Sequence, residues 1–204
     1  MASIDNNIVL TIAIPTFNRA NFLDAILKEL MRQIDVYNIS GQIEILVSNN
    51  NSTDSTEEII AKHHNRIQYS CHSSNIGADR NFLSLFEKAR GKYIWLPGDD
   101  DLVRNDLLPF ILRSIESEQF DFFYLKKDGK ERNGEKRRPR MVNSDELFEK
   151  VNLYLTFMTS QVIRTSLVKK HIKDSAQFEG TYMMYFYIFL KCLEEAKKCL
   201  ISGG

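Results

Sequence analysis

Tyr93-Ile94-Trp95-Leu96-Pro97-Gly98-Asp99-Asp100-Asp101 is the stretch on which the fold of this chain turns. Its first four residues are aromatic or aliphatic, the composition of a short buried strand. Pro97 and Gly98 break the run, and three carboxylates follow where the chain must turn. In a parallel α/β sheet, the carboxyl ends of the strands are where ligands sit. Adjacent aspartates repel one another, so such a turn calls for a compensating cation. Hard oxygen ligands suit Mg²⁺ or Mn²⁺, with substrate phosphates completing the shell. The competing reading is a solvated acidic turn that caps the next helix.

Outward from this stretch, the pattern of strand, polar loop and helix repeats. Residues 8–14 are apolar and β-branched, and Pro15-Thr16-Phe17-Asn18-Arg19 ends them. Phe22, Leu23, Ile26, Leu27, Leu30, Met31 and Ile34 fall at helical spacing. Residues 43–47 predict a second strand, and residues 48–54 a polar loop. Ser55 and Glu58 have capping-box spacing before the next helix. A weaker strand is expected at residues 67–71. A turn at Asn75-Ile76-Gly77 then opens a helix carrying Phe82, Leu83, Phe86 and Ala89, which Gly91 ends. Downstream, residues 107–115, 145–154, 166–172 and the segment from about Thr181 predict helices. Residues 122–125, 157–163 and 199–201 predict strands, and residues 126–140 a charged loop. Alternation of strand and helix with short connections predicts one α/β domain, a mostly parallel sheet with helices on both faces.

Composition narrows the function classes. A hydrophobic share of 43% and a charged share of 26% are those of an ordinary globular protein. Lys plus Arg and Asp plus Glu both total 27, so no net field steers the chain toward nucleic acid. Three cysteines without a C-x-x-C pair point to reduced thiols and a cytoplasmic setting. The four histidines lack the spacing of a zinc site. The apolar run at residues 182–190 stops at Lys191, far short of the roughly 20 residues that span a bilayer.

Three strand ends should therefore meet at one edge of the sheet: residues 15–19, 48–54 and 98–101. Phe17 offers a ring face to a nucleobase, and Asn49 and Asn50 offer amide groups to base edges. Arg19 and Arg80 suit phosphates, and the aspartates suit a metal. A nucleoside diphosphate uses all of these at once. Each residue also has a plain reading: Phe17 in the core, the asparagines as turn and cap, Arg80 as a solvated charge. Neither G-x-G-x-x-G nor G-x-x-x-x-G-K-[ST] is present, so a dinucleotide fingerprint and a P-loop are excluded.

The residues 13–19, 44–54, Asn75-Ile76-Gly77 and 91–94 leading into Asp99-Asp100-Asp101 resemble family 2 glycosyltransferases of the GT-A fold. The likeness covers about the first 110 residues, in the family's order and spacing. Gly77-Ala78-Asp79-Arg80-Asn81 together with residues 95–101 resembles the abequosyltransferase-like branch, which serves bacterial surface-polysaccharide (lipopolysaccharide or capsule) synthesis. The resemblance implies a GT-A, Rossmann-like domain over residues 1–204. Residues 1–105 would bind the nucleotide-sugar donor and residues 106–204 a glycan acceptor; relatives commonly run longer, which implies a C-terminal truncation of the acceptor side. It implies that Pro15, Thr16, Phe17, Asn18 and Arg19 hold base and ribose with Asn49, Asn50 and Asn51. Asn75, Gly77 and Arg80 would complete the donor site. Asp99 would reach the ribose, and Asp100 would bind the Mg²⁺ or Mn²⁺ that bridges the diphosphate. The implied reaction inverts the anomeric centre in one displacement, through an oxocarbenium-like transition state, with a carboxylate as general base.

The chain departs from the family pattern in three places. Asn49-Asn50 stands where members commonly carry Asp-Asp, Gly98 replaces the first Asp of a D-x-D-D arrangement, and Glu179 is the one carboxylate left where a Glu-Asp pair supplies the base. Glu179 also reads as a helix-terminal charge favoured by the macrodipole. The basic residues Lys126, Lys127, Lys130, Arg132, Lys136, Arg137, Arg138 and Arg140 read either as a solvated loop or as a peripheral contact with an anionic membrane or a lipid-linked acceptor. Two rivals to transfer stand beside it. One is a catalytically degenerate nucleotide-binding relative acting as a partner subunit. The other is a sugar-1-phosphate nucleotidyltransferase, against which the sequence of residues 15–19 speaks.

Overall fold

The computed structural model describes residues 7–101, 103–126 and 139–202. β1 (Leu10–Thr16) is apolar on both sides, sending Leu10, Ile12 and Ile14 into one core and Ala13 into another. A strand without a solvated face belongs inside a sheet covered twice. β1 accordingly pairs in parallel with β2 (Ile43–Asn49) on one side and β4 (Tyr93–Trp95) on the other. β2 pairs in parallel with β3 (Gln68–Cys71). The crossovers are α1 (Ala20–Tyr37), α2 (Thr56–His63) and α3 (Ala78–Lys88). α1 buries Leu23, Ile26, Leu27, Leu30, Met31 and Ile34, as their spacing requires.

The second half continues the sheet with α4 (Leu107–Ser117), β5 (Phe122–Tyr124), β6 (Arg140–Val142), α5 (Ser144–Val151), β7 (Gln161–Arg164), α6 (Thr165–Lys170), α7 (Met184–Glu195) and β8 (Cys199–Ile201). The strand order is β3-β2-β1-β4-β7-β5-β8-β6. β7 runs antiparallel to β4 and β5, and β6 antiparallel to β8; the other strands share one direction. Leu27, Ile60 and Leu112 of α1, α2 and α4 fill one core. Phe86, Leu147, Val168 and Phe189 of α3, α5, α6 and α7 fill the other.

Several boundaries differ from the sequence pattern, each for a local reason. β1 reaches Thr16, because Pro15 and Thr16 stay in register with Ser48 and Asn49. Asp54, not Ser55, caps α2: its Oδ1 accepts from Thr56 N at 3.1 Å, while the Ser55 side chain makes no capping bond. α3 ends at Lys88, and Gly91 serves a different purpose: a Cβ there would lie 2.6 Å from the backbone nitrogen of Thr11. Arg140, the last residue of the expected charged loop, forms with Met141 and Val142 a strand that pairs with β8 and covers its open edge. Residues 152–160 form short 3₁₀ turns after Asn152 adopts φ +47°, so β7 starts only at Gln161. Of the basic stretch, residues 127–138 lie outside the described residues. No helix among the described residues is long and apolar enough to cross a membrane.

Candidate active site

The ends of β1, β2 and β4 meet, and hydrogen bonds knit their loops together. Thr16 Oγ1 donates to Asp99 Oδ2 at 2.8 Å, tying the end of β1 to the aspartate turn. Asn18 N donates to Ser52 Oγ at 2.9 Å, and Thr53 N donates to Asn18 Oδ1 at 2.7 Å. Ala20 N donates to Asp54 Oδ2 at 3.0 Å, so one carboxylate caps both α1 and α2. Asn18 and Asn51 take left-handed φ of 53° and 62°, which asparagine tolerates better than branched residues.

The three aspartates do three different things. Asp99 is 6% exposed, and burial pushes its carboxyl above the ordinary value, against the opposing pull of Thr16 and Arg19. Asp100 is half exposed and accepts from Arg19 Nη1 at 2.5 Å, while the same nitrogen lies 3.5 Å from Asp99 Oδ1. That bond, with the field of Asp99, holds the Arg19 guanidinium above its usual pKa. Asp101 turns inward and accepts from Gly98 N at 2.8 Å and from the Thr159 hydroxyl. A Cβ at Gly98 would sit 2.8 Å from Asp101 Oδ2 and 2.9 Å from Asp100 Oδ1, so the turn folds over the place a side chain would need. Arg19 thus supplies one positive charge to the acidic turn.

The asparagine loop is largely self-consumed. Asn49 is fully buried: its Oδ1 accepts from Ser52 N at 3.0 Å, and its Nδ2 points at Cys71 Sγ at 3.8 Å. Asn50 Nδ2 donates to Asn75 Oδ1 at 2.9 Å, and Asn50 Oδ1 accepts from Ile76 N. Asn75 Oδ1 also accepts from Gly77 N at 2.9 Å, and Gly77 enters α3 with φ +83°. These residues shape the loops after β2 and β3 from within. Phe17, 40% exposed, leaves its ring open to a ligand, which removes the core reading. Asn51 is exposed in the loop after β2.

Across the sheet, Arg80 Nε meets Glu179 Oε1 at 2.5 Å, both side chains being largely in solvent. The residue the sequence pattern passed over is Asp79, 4% exposed. Its carboxylate accepts from the backbone N–H groups of Gly180, Tyr182 and Met184 at 2.9, 3.0 and 3.3 Å. A signal for it existed: Asp79 lies at i with Phe82 and Phe86 at i+3 and i+7, so a carboxylate occupies the apolar stripe of α3. Thr159 was invisible in sequence, because its partner Asp101 lies in a distant loop.

Among the described residues, no group of three or more His, Cys, Asp or Glu is arranged to hold a metal. A closed, all-protein cage is therefore not the fit. An Mg²⁺ or Mn²⁺ that borrows one or two carboxylates and takes its other ligands from phosphates and water does fit the exposed Asp100.

The pattern of glycosyl transferase family 2 matches residues 11–184, which include every loop just described. This chain is a member of glycosyl transferase family 2. The family 2 member is 30% identical over 201 residues to the abequosyltransferase RfbV of Salmonella typhimurium, covering 89% of this chain and 60% of that protein. It is similar in structure to S. aureus TarS (TM-score 0.74, 18% identity), over 95% of this chain and 58% of TarS 1–349. A Pyrobaculum calidifontis mannosyltransferase solved with GDP-Man and Mn²⁺ superposes with TM-score 0.56 at 14% identity, over 79% of this chain and 46% of the other. At these identities the structural likeness is one of fold, and it establishes the GT-A architecture. The family 2 member spans about 60% of the length of RfbV.

Proposed function

We propose that this chain transfers a sugar from a nucleoside-diphosphate donor to a glycan acceptor, lipid-linked, in cell-surface polysaccharide synthesis. The observation that carries the reading is the Thr16–Asp99 and Arg19–Asp100 pairing, which gathers stacking ring, guanidinium and carboxylates at one sheet edge. RfbV, an abequosyltransferase by name, supports the polysaccharide setting. TarS has been solved with UDP-GlcNAc and with UDP, which supports a nucleotide-sugar donor. The fold partner solved with Mn²⁺ supports a divalent ion at Asp100.

In this reading, Phe17 stacks on the base, with Asn51 beside it. Asn49, Asn50, Asn75 and Gly77 hold the rim, Pro15 and Asn18 fix the β1 loop, and Asp99, fixed by Thr16, faces the ribose. Arg19 leaves Asp100 for the diphosphate. A bound divalent ion supplies Lewis-acid stabilisation of charge on the departing diphosphate. Glu179 takes the proton of the acceptor hydroxyl, and Arg80 exchanges its carboxylate partner for phosphate. Both arginine pairs are exposed (45% and 50% for Arg19–Asp100, 58% and 44% for Arg80–Glu179). Exposed pairs contribute roughly 0.2–1 kcal/mol, so either exchange has a small cost.

Calorimetric titration of the chain with UDP, GDP, CDP and dTDP, with and without Mn²⁺, tests the reading. Binding of one diphosphate, strengthened by Mn²⁺ and no longer so in Asp100→Ala, is expected. Failure of all four to bind would sink it. Binding without donor hydrolysis or transfer would favour the degenerate partner-subunit reading.

A further inference from the structure

We propose that Asp79 is a positioning residue for the transfer step, acting through the loop that carries Glu179. This rests on the role given to Glu179 above. Three backbone N–H groups, from Gly180, Tyr182 and Met184, converge on the two oxygens of one carboxylate across more than a hundred residues of chain. Asp79 is 4% exposed, so the carboxylate is spent on these donors and is not itself open to a substrate hydroxyl.

The loop holds itself only in part: Thr181 donates to Phe178 O through its N–H and its hydroxyl, and Met183 N donates to Thr181 Oγ1, while the amides of Gly180, Tyr182 and Met184 turn to Asp79. Gly180 and Tyr182 have φ of +84° and +62°, and left-handed backbone at a bulky aromatic persists only where the surroundings enforce it. Met183, the N-cap residue of α7, makes no side-chain capping bond, and Asp79 accepts the first amide of that helix, Met184 N, instead. The carboxylate therefore serves as the anchor of a strained turn and as the missing helix cap at once.

Its neighbour acts beside it. Arg80, the next residue of α3, meets the Glu179 side chain at 2.5 Å; when Arg80 turns to phosphate, Asp79 still holds the backbone just beyond Glu179. Both sit in the first turn of α3, directly after Asn75-Ile76-Gly77, where Asn75 Oδ1 accepts from Asn50 Nδ2 and Ile76 N donates to Asn50 Oδ1 in the loop after β2. One rigid helix start thus joins the proposed donor rim to the turn that presents the proposed base. Misplacing a catalytic group by about 1 Å costs on the order of a hundredfold in rate.

The test compares Asp79→Asn, Glu179→Gln and the double variant in the full chain. Asp79→Asn replaces an acceptor oxygen by an NH₂ group facing N–H donors. It is expected to lower kcat roughly tenfold to a hundredfold while the Kd for the nucleoside diphosphate stays within about twofold of the parent. In the Glu179→Gln background it should cost nothing further, because residues acting as one unit are not additive. Backbone hydrogen exchange at Gly180, Tyr182 and Met184 should accelerate, with the strand amides unchanged. Wild-type turnover in Asp79→Asn, multiplicative losses in the double variant, or unchanged exchange at the three amides overturns the proposal. Should Asp79→Asn fail to fold, Asp79→Glu replaces it: lowered kcat with unchanged diphosphate Kd supports the role, and wild-type kcat overturns it. A parent chain that binds no nucleoside diphosphate and transfers no sugar instead overturns the functional reading, and the role of Glu179 with it.

Discussion

Arg19 and Asp100 are 81 positions apart and satisfy each other at 2.5 Å. The sequence reading set Arg19 toward a phosphate and Asp100 toward a metal, each alone; their pairing was not legible, because nothing local specifies it. Both are about half exposed, so the bond between them is weak enough to be exchanged for ligands. Replacing Arg19 by Ala frees the Asp100 carboxylate and removes a phosphate partner. Mn²⁺ titrated without nucleotide should bind about twofold to fivefold more tightly to Arg19→Ala, while diphosphate binding with Mn²⁺ weakens. Unchanged Mn²⁺ affinity would mean that Arg19 does not compete for that carboxylate. Asp79 carries the complementary lesson: its helical phase was visible, but the three amides that justify a buried carboxylate belong to another half of the chain.

At the scale of elements, close approaches and caps decide boundaries. Gly91 lies against β1, where a methyl group would meet Thr11 N at 2.6 Å and Thr11 Oγ1 at 2.8 Å. Gly91→Ala must move backbone rather than a flexible tip. We expect a loss of about 1–3 kcal/mol, read as a melting temperature lowered by roughly 2–12 °C for a chain of this size. A wild-type melting temperature would refute the collision. Asp54 gives the pH dependence. Burial raises its carboxyl, but the Thr56 hydroxyl and the N–H groups of Ala20 and Thr56 prevail, and its pKa falls below the ordinary value. The stabilisation is present above the unfolded value and is lost as pH drops through the lower folded value. Asp54→Ala should therefore lower the melting temperature near pH 7, by an amount set by a cap of about 1 kcal/mol. The gap between variant and parent should narrow as pH falls through the lowered folded value; a gap independent of pH would exclude the carboxylate as its source. The periodic helices α1 and α4 were readable because their apolar stripes are intrinsic to sequence. β6 and the 3₁₀ turns before β7 were not, since a three-residue edge strand exists only by virtue of the neighbour it pairs with.

For the whole molecule, one core takes in two of the three thiols. Cys192 and Cys199 are fully buried, and burial pushes the Cys192 thiol far up and the Cys199 thiol up to about 12. Cys71 is exposed at the end of β3. Because the thiolate is the reactive form, an aromatic disulfide reagent at pH 8 should modify one thiol in the native chain and all three after denaturation. Rapid reaction of more than one native thiol would contradict this packing.

The sequence by itself determined the alternation of elements, the two-faced burial of the sheet and the family, since hydrophobic period and loop motifs are local properties carried wherever the chain goes. Only the tertiary structure decided that Arg19 pairs with Asp99 and Asp100, that Asn49 and Asn50 are spent on Ser52, Cys71, Asn75 and Ile76, and that Asp79 is buried while Glu179 is exposed. Those outcomes depend on which groups become neighbours when the strands align, and hydrogen bonds and charges act over a few ångströms of space, not along the chain.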